Sequence, residues 1–343
     1  MAKRVFNWLL VSFGSFWLLA THTKAFSAIP KPPTTLIDNN NKNNNIMSLA
    51  TPQPPENQEQ RTNNAILRVH GPDANGIVAA FSQLLYGHGC GIVDSEQHTD
   101  HTANLFFQRI HFDYTKMHTD RISLTSGIKE VCERFQMKSE LNWGDKRKKV
   151  CVMISKYDHC LWELLLRHRA GELDCEIALI ISNHPDLQNI ADSFNIPFHV
   201  FKITKDNKQE VEAQELALLK EQEIDLVVLA RYMQIITDDF CVAFPVINIH
   251  HSFLPAFIGG KPYHRAHERG VKLIGATAHY ATADLDEGPI IEQDITRISH
   301  RDQVDDLIRK GRLLEKSVLV TAVKAHIEDR IIVYNNKCVI FDG

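Results

Sequence analysis

Hydrophobic and polar positions divide the chain into three parts. From Ala65 to about Trp143, alternating and helically spaced apolar residues follow one another in the order strand, helix, strand, strand, helix, strand. From Val150 onward, apolar strands alternate with amphipathic helices. Such repeated strand–helix units predict a parallel, doubly wound sheet with right-handed crossovers. The chain is therefore predicted to be α/β, with a βαββαβ domain at 65–148 and a doubly wound domain at 149–343.

The end of the second domain departs from strand–helix alternation. Two strands, Ile274 to Ala281 and Pro289 to Ile298, are predicted to run antiparallel on either side of a turn. A long amphipathic helix is predicted from Gln303 to Glu328. A final hairpin is predicted to turn at Asn335 and Asn336.

Residues 1–64 carry no folded pattern and are predicted to be a targeting presequence and a linker. Lys3 and Arg4 precede an apolar run from Val5 to Ala20, and no acidic residue occurs before Asp38. The run is short for a membrane span of about 20 residues, so the mature protein is predicted to have no membrane anchor. The step at Ala25 and Phe26 resembles the bipartite presequence of complex plastids. An organellar location follows, with a mitochondrial presequence and an uncleaved tail as alternatives.

Composition limits the classes of partner. The 343 residues carry a formal net charge of -4, which gives no basic surface of the kind that nucleic acids require. The seven cysteines are scattered without a CxxC pair, so reduced structural thiols are expected instead of a zinc site. We therefore predict neither a nucleic-acid partner nor a bound metal.

The candidate chemistry lies where the strand Val246 to His250 ends. Residues two apart in a strand point to the same side, so Asn248 and His250 are expected to project together, while His251 faces the other way. Ligands of doubly wound sheets bind beyond the carboxyl ends of the strands, where these side chains emerge. Asp286 is expected on a loop above the same edge. The pattern predicts a hydrogen-bond donor beside an acid/base group.

Each of these residues has an ordinary structural explanation when it is taken alone. Asn248 could cap a strand end, His250 could be a buried histidine with satisfied hydrogen bonds, and Asp286 could be a turn residue. The density of histidines in this region also leaves a metal-dependent hydrolase open as a rival. His264 and His267 lack the glutamate of a zinc-protease helix, which counts against that rival.

The first domain resembles the ACT domain, a small module that commonly binds amino acids where two copies meet. The resemblance rests on the βαββαβ order and on the loop from Asp73 to Ile77. It implies an amino-acid effector bound by Asp73, Asn75 and Gly76, and a homo-oligomeric protein. A helix cap with a turn glycine is the alternative explanation of the same loop.

The second domain resembles the formyltetrahydrofolate-dependent formyl-transfer fold. The resemblance is carried by four segments: Asn248–His250, Ser252–Pro255, Gly275–His279 and Leu285–Pro289. It implies that Asn248 polarises the formyl oxygen, that His250 handles protons at the tetrahedral intermediate, and that Asp286 holds His250 and a water. No cofactor other than the folate substrate is implied.

The turn after the first strand of this domain bears on the acceptor. Residues 155–161 contain no glycine and include an acidic residue, whereas a phosphate is usually cradled by the backbone of a glycine-rich turn. Together with the ACT-like domain and the segment Phe257–His264, this turn resembles the formyltetrahydrofolate deformylase family. The resemblance implies hydrolysis of 10-formyltetrahydrofolate to formate and tetrahydrofolate, supplying formate to purine and one-carbon metabolism.

The same resemblance implies a folate pocket. The predicted substrate-binding residues are Arg231, Tyr232, Met233, Gln234, Ile235, Lys261 and Thr277. Met233 and Ile235 could instead be ordinary core residues after a strand. Two alternative functions stay open at this point: a transferase with an unrecognised acceptor, and an amino-acid sensor whose second domain only binds folate.

Overall fold

The first domain is a four-stranded antiparallel sheet covered on one face by two helices. The computed structural model describes residues 63–204, 206–256 and 262–342, so nearly all of the predicted presequence lies outside the described residues. The strands pair in the order β2-β3-β1-β4. The elements in chain order are β1 (Asn64–Pro72), α1 (Ile77–Gly87), β2 (Gly91–Asp100), β3 (Leu105–Asp113), α2 (Arg121–Phe135) and β4 (Lys138–Trp143).

Alternation along β1 builds the core of this domain. Ala65, Leu67 and Val69 are buried and point to one face of the sheet. On that face they pack with Phe81 and Leu85 of α1 in a single apolar cluster. The alternation of apolar and polar residues that predicts this strand therefore also places every second side chain in the core.

The second domain is built on a seven-stranded sheet in the order β11-β10-β9-β8-β5-β6-β7. The five strands from β9 to β7 in that order are parallel, and β10 and β11 are antiparallel. The predicted large, mostly parallel sheet is confirmed. Its elements are β5 (Lys148–Ile154), α3 (His159–Arg169), β6 (Cys175–Ser182), α4 (Gln188–Ser193), β7 (Phe198–Val200), α5 (Lys208–Glu221), β8 (Leu226–Leu229), α6 (Asp238–Ala243), β9 (Val246–His250), α7 (Pro262–Arg269), β10 (Leu273–Tyr280), β11 (Ile290–Arg297), α8 (Val304–Ile327), β12 (Ile331–Tyr334) and β13 (Lys337–Ile340).

Helices cover both faces of this sheet. On β5, Val152 and Ile154 pack into the cluster that contains α3 and α8, whereas Cys151 and Met153 pack into the cluster that contains α5 and α6. A strand buried on both faces reads as a continuous apolar run, which is what β5 shows.

Two elements differ from the sequence prediction. The helix α7 was not predicted, because only Pro262, Tyr263 and Ala266 of its eight residues are buried and it is too short to show a period. The sequence predicts the second strand only from Gly91 to Glu96, whereas β2 continues to Asp100, because backbone pairing with β3 extends it through polar residues.

The C-terminal hairpin joins the two domains. β12 and β13 lie on the face of the first sheet that α1 and α2 leave uncovered, where Phe107 packs against Ile332 and Phe341. Beside this contact, buried Arg109 donates to the backbone carbonyls of Glu328 and Asp329. Among the described residues, no helix has the length and apolar character needed to cross a membrane.

One buried carboxyl makes the second domain sensitive to pH. Glu215 of α5 is almost inaccessible and accepts a hydrogen bond of 2.7 Å from the hydroxyl of Tyr232. Burial and, to a smaller extent, the neighbouring Glu212 raise the pKa of Glu215 from 4.5 to about 7, although the hydrogen bond from Tyr232 acts in the opposite direction. Glu215 is therefore protonated in the folded state at pH values where it ionises in the unfolded state.

We expect Glu215→Gln to stabilise the protein above neutral pH. Below pH 4.5 the carboxyl is protonated in both states, and as pH rises from 4.5 to about 7 only the unfolded state gains by ionising. The wild type should therefore lose up to about 3 kcal/mol relative to the variant across this window. Urea unfolding at pH 5 and pH 8 measures the difference, with exposed Glu221→Gln on the same helix as the control. A stability gap that does not change with pH would contradict the shifted pKa.

Candidate active site

His250 and Asp286 form a buried pair at the carboxyl edge of the large sheet. His250 is the last residue of β9, and Asp286 lies in the loop between β10 and β11. The His250 Nδ1 and Asp286 Oδ1 atoms are 3.2 Å apart, and the two side chains are only 5% and 6% exposed. The loop closes tightly over β10, since a Cβ on Gly288 would lie 1.8 Å from the Tyr280 carbonyl oxygen. Glycine is therefore required where the loop returns.

The pair fixes which nitrogen of His250 is available. Burial by itself would raise the pKa of Asp286, but the hydrogen bond from His250 and the surrounding imidazoles lower it below its usual value. The ionised carboxylate accepts the Nδ1 proton, which leaves the lone pair on Nε2. His250 Nε2 is buried and has no hydrogen-bond partner among the residues that the structure describes. His250 Nε2 is thus available as an acid/base nitrogen, because no described protein group is hydrogen-bonded to it.

His279 orients Asn248, a role that the sequence analysis missed. Antiparallel pairing places His279 of β10 directly opposite Asn248 of β9. The His279 Nδ1 atom lies 2.9 Å from the Tyr280 carbonyl, to which it must donate, so Nε2 accepts from the Asn248 amide at 3.2 Å. Burial lowers the pKa of His279, which keeps the ring neutral and able to accept. The second amide hydrogen of Asn248 remains available for a substrate oxygen.

A second polar network lies beside this pair and centres on Glu315 of α8. The carboxylate accepts from the Tyr263 hydroxyl at 2.7 Å and contacts His159 Nε2 at 2.7 Å. The Nε atom of Arg231 lies 3.5 Å from the same carboxylate. Tyr263 reaches it because residue 311 is glycine, where a Cβ would lie 1.9 Å from the tyrosine oxygen. Both carboxylate oxygens are therefore occupied by protein groups.

The charges of this network act on the residue next to His250. Burial would raise the pKa of Glu315, but His159 and Arg231 lower it, so the carboxylate is ionised. Burial and then Arg231 lower the pKa of His251 to about 3, which leaves that ring neutral.

The His250 and His251 ring centroids are only 5.2 Å apart. The predicted opposite orientation of His251 is wrong, because the strand ends at His250 and alternation no longer applies.

Among the described residues, one group of side chains has metal-ligating atoms close together. The ligand atoms of His159, Cys160 and Glu315 all lie within 4.8 Å of one another. Burial raises the pKa of the Cys160 thiol well above its usual value, so this sulfur is a protonated, poor ligand. His159 and Glu315 are already bonded to each other. The chemistry of the group fits a hydrogen-bonded network better than a metal site.

The predicted folate segment at 231–235 divides into buried and exposed residues. Met233 and Ile235 are 57% and 56% exposed, so the alternative that they are core residues is wrong. Gln234 lies between them and is half-buried. Tyr232 instead points into the core and bonds Glu215, so its side chain is not placed to contact a substrate. Arg231 is buried, with its guanidinium 5.0 Å from the centre of the Tyr157 ring.

Two further predicted substrate residues have different outcomes. Thr277 is fully buried, and its hydroxyl donates to the Ser252 carbonyl and accepts from the Leu254 amide and from Gln293. This hydroxyl supports the loop after β9, and direct contact of Thr277 with a substrate stays a prediction. Lys261 lies outside the described residues.

The predicted effector loop is at the surface of the first domain. Asp73, Asn75 and Gly76 are all exposed. Gly76 has a φ of 93°, a left-handed conformation that favours glycine, and it directly precedes α1. Gly76 is therefore the turn glycine that the alternative explanation of this loop requires, although no side chain caps α1.

Comparison with known proteins agrees with both domains. Residues 148–323 match the model of the formyl transferase family, and residues 63–139 match an ACT domain. A formyltetrahydrofolate deformylase from Synechocystis sp. is 56% identical over 278 residues, which cover 81% of this chain and 98% of that protein. One from Bacillus subtilis is 49% identical and covers 84% and 97% of the two chains.

The chain belongs to the formyltetrahydrofolate deformylase family. A solved deformylase structure from Pseudomonas syringae pv. tomato has a TM-score of 0.79 and 42% identity, and covers 81% of this chain and 94% of that one. A glycinamide ribonucleotide transformylase from Symbiobacterium toebii has a TM-score of 0.54 and 29% identity, and covers only 57% of this chain. The predicted resemblance and fold class are confirmed.

The protonation states in this deformylase-family site can be tested by NMR. The lowered pKa values of His251 and His279 predict that both rings are neutral at pH 7. In two-bond ¹H–¹⁵N spectra of histidine-labelled protein, His279 should show the tautomer with the proton on Nδ1. The His251→Gln and His279→Gln variants assign the two signals by their loss. Titration of either ring with a midpoint above the ordinary value of 6.5 would contradict the assigned states.

Proposed function

We propose that this protein hydrolyses 10-formyltetrahydrofolate to formate and tetrahydrofolate, as its relatives are named for doing. The observation that carries the proposal is the buried, unpartnered Nε2 atom of His250, held by Asp286 on the other ring nitrogen and lying on the same strand as Asn248. A polarised base beside an amide donor is what attack of water on a formyl group requires.

In the first step, His250 Nε2 accepts a proton from water as the water oxygen bonds to the formyl carbon. The carbonyl π electrons move to the formyl oxygen, which becomes an oxyanion. Asn248 donates its second amide hydrogen to that oxygen, and the newly formed imidazolium of His250 adds positive charge nearby. The ionised Asp286 stabilises the imidazolium through Nδ1.

In the second step, the tetrahedral intermediate collapses and the bond between the formyl carbon and N10 breaks. The electron pair goes to N10, which takes the proton from His250 Nε2 and leaves as tetrahydrofolate. The other product is formic acid, which ionises to formate. A positioned donor typically contributes about a hundred- to a thousand-fold to such a reaction, and an acid/base group about a hundred- to ten-thousand-fold.

Water is the acceptor that the surroundings favour. In the turn after β5, the Ser155 hydroxyl lies within hydrogen-bond distance of the Tyr232 carbonyl and of Asn183. Tyr157, in the same turn, lies against the guanidinium groups of Arg231 and Arg312. Side chains therefore fill the turn where a glycine-rich backbone would cradle a phosphate. The occupied Glu315 network likewise offers no carboxylate oxygen to an acceptor amine.

Exposed apolar residues near the carboxyl edge of the large sheet support a binding surface for the flat ring of the folate. Met233, Ile235, Phe253 and Leu285 are all large apolar residues with substantial exposure. Each lies in a loop that also carries a residue of the site or of the Glu315 network. Exposed apolar residues grouped on site loops are typical of ligand surfaces. We assign them, with Gln234, to the pterin end of the substrate.

The finer parts of the function stay predictions. We propose that the reaction needs no cofactor, that the product formate serves purine synthesis, that an amino acid regulates the ACT domain, and that the protein is a homo-oligomer in a plastid or mitochondrion. The supporting features are the donor set of the site, the ACT match at 63–139 and the apolar run after Arg4.

Asp286→Asn should lower kcat for formate release by about a hundred-fold or more, since it removes the charge that orients and stabilises His250. Folate binding, measured by fluorescence quenching with unformylated tetrahydrofolate, should change little because fold and pocket are retained. Asp284→Asn, exposed on the same loop, is the matched control and should keep full activity. Equal activity of the two variants would remove Asp286 from the mechanism.

The full chain should release formate from 10-formyltetrahydrofolate with no added acceptor and at an unchanged rate in the presence of a strong chelator. This result would make water the acceptor and would show that the reaction requires no metal removable by the chelator. Loss of activity on chelation that zinc restores would favour the metal-dependent alternative. Release that requires an added amine would favour a transferase, and bound folate without any release would favour a folate-binding sensor.

A further inference from the structure

The 231–237 loop, which follows β8, has an unusual backbone conformation. Arg231 and Met233 have φ angles of 67° and 57°, in the left-handed region that residues with side chains rarely adopt. Tyr232, between them, is 2% exposed, whereas Met233 is 57% exposed. Such a conformation persists only where the surrounding structure holds it. The 231–237 loop therefore requires fixed attachment points.

The first attachment point is Tyr232, near the start of the loop. Its hydroxyl donates to Oε1 of Glu215 on α5 at 2.7 Å, and its carbonyl lies within hydrogen-bond distance of the Ser155 hydroxyl. Just before the loop, the Ala230 amide donates to the Met153 carbonyl of β5 at 2.9 Å. The start of the loop is thus held from α5 on one side and from the end of β5 on the other.

The second attachment point is Thr237, the residue before α6. Its hydroxyl bonds to Oε1 of Glu212, and its backbone amide donates to the same oxygen at 3.3 Å. Glu212 and Glu215 are three residues apart on α5, so they lie about one turn apart on the same face. Two carboxyl groups of one helix thus hold the two ends of the 231–237 loop.

Both carboxyl groups are buried in the second domain. Glu212 is 7% exposed and Glu215 is 2% exposed. Burying a polar group costs free energy unless it is hydrogen-bonded, and the buried face of an amphipathic helix usually carries apolar residues. Here the hydrogen-bond partner of each carboxyl group belongs to the loop. The loop that they hold therefore explains why these two buried positions are polar.

Between its attachment points, the loop exposes the side chains that we assign to the pterin end of the folate: Met233, Gln234 and Ile235. We propose that the two buried carboxyl groups of α5, Glu212 and Glu215, are positioning residues that fix both ends of this loop and thereby set the affinity of the site for the folate. The reacting groups lie elsewhere, on β9 and in the loop between β10 and β11. Loss of either attachment should therefore weaken substrate binding and leave the chemical step unchanged.

Tyr232→Phe removes the hydroxyl of the first attachment point. It should raise KM for 10-formyltetrahydrofolate about ten-fold and keep kcat within about two-fold of the wild type. Tyr334→Phe is the matched control, because that hydroxyl also lies beside a carboxylate, 3.2 Å from Asp100, in the C-terminal hairpin. The control should leave KM unchanged. An equal rise of KM in both variants, or a loss of kcat at unchanged KM in Tyr232→Phe, would overturn the proposal.

Two substitutions of Glu215 separate the hydrogen bond from packing. Glu215→Gln keeps an oxygen that accepts from Tyr232 and should keep KM near that of the wild type, whereas Glu215→Leu should raise KM about as much as Tyr232→Phe. Combining Glu215→Leu with Tyr232→Phe should raise KM no further than either change alone, since both break the same bond. Equal KM values for the two Glu215 variants, or additive effects in the double variant, would contradict the role of Glu215.

The second attachment point gives an independent test. Thr237→Ser keeps the hydroxyl and should leave KM unchanged. Thr237→Val keeps the shape without the hydroxyl and should raise KM at least about three-fold, because only the backbone amide then bonds to Glu212. If Tyr232→Phe does not fold, this pair decides the proposal. An unchanged KM in Thr237→Val would overturn the role of Glu212.

The KM measurements rest on the proposed function, and direct binding separates the two proposals. Isothermal titration of the full chain with tetrahydrofolate, under anaerobic conditions, measures affinity without turnover. Tyr232→Phe should weaken this binding about ten-fold. Equal dissociation constants for the wild type and Tyr232→Phe would overturn the positioning role. A wild type that binds tetrahydrofolate but releases no formate would instead contradict the proposed function, while the titration still decides the role of the loop.

Discussion

Antiparallel pairing of β10 with β9 is the constraint on which the site depends. In this register His279 lies opposite Asn248, and Thr277 lies opposite His250. The first pair orients the amide that faces the substrate, and the Thr277 hydroxyl holds the loop that follows His250. Because β10 runs antiparallel and ends beside the start of β9, the loop that follows must fold back along β9 to bring Asp286 to His250. One register therefore positions the donor, the base and the carboxylate.

Charge burial explains why two separate networks are needed. An unpaired buried charge costs several kcal/mol, so each buried carboxylate must have its own partners. Asp286 is compensated by His250, and Glu315 is compensated by His159, Arg231 and Tyr263. The groups around Glu315 bond to one another. They therefore do not compete for the proton that His250 accepts and releases. The arrangement favours water over a larger nucleophile.

Local sequence pattern predicted the parts of the site that depend on one strand, and it failed where distant strands or helices meet. Alternation in the strand Val246 to His250 was enough to bring Asn248 and His250 to one side, and motif resemblance supplied Asp286. His279 was missed because its role follows from cross-strand register, which local spacing does not contain. Glu315 was missed because a glutamate within an amphipathic helix looks solvent-exposed until its neighbours are known. The internal hydrogen bonds of the Thr277 and Tyr232 hydroxyls were missed for the same reason, since burial decides where these hydroxyls point.

Adjacent residues at the end of β10 face two different environments. Side chains alternate along a strand, so His279 turns to Asn248 while Tyr280 turns to His326 at the end of α8. The peptide between them is shared, because the Tyr280 carbonyl accepts the His279 proton. A movement of Tyr280 at the domain boundary therefore alters the hydrogen bond that sets the His279 tautomer. The residue that contacts His326 and the residue that orients Asn248 are thus joined by a single peptide group.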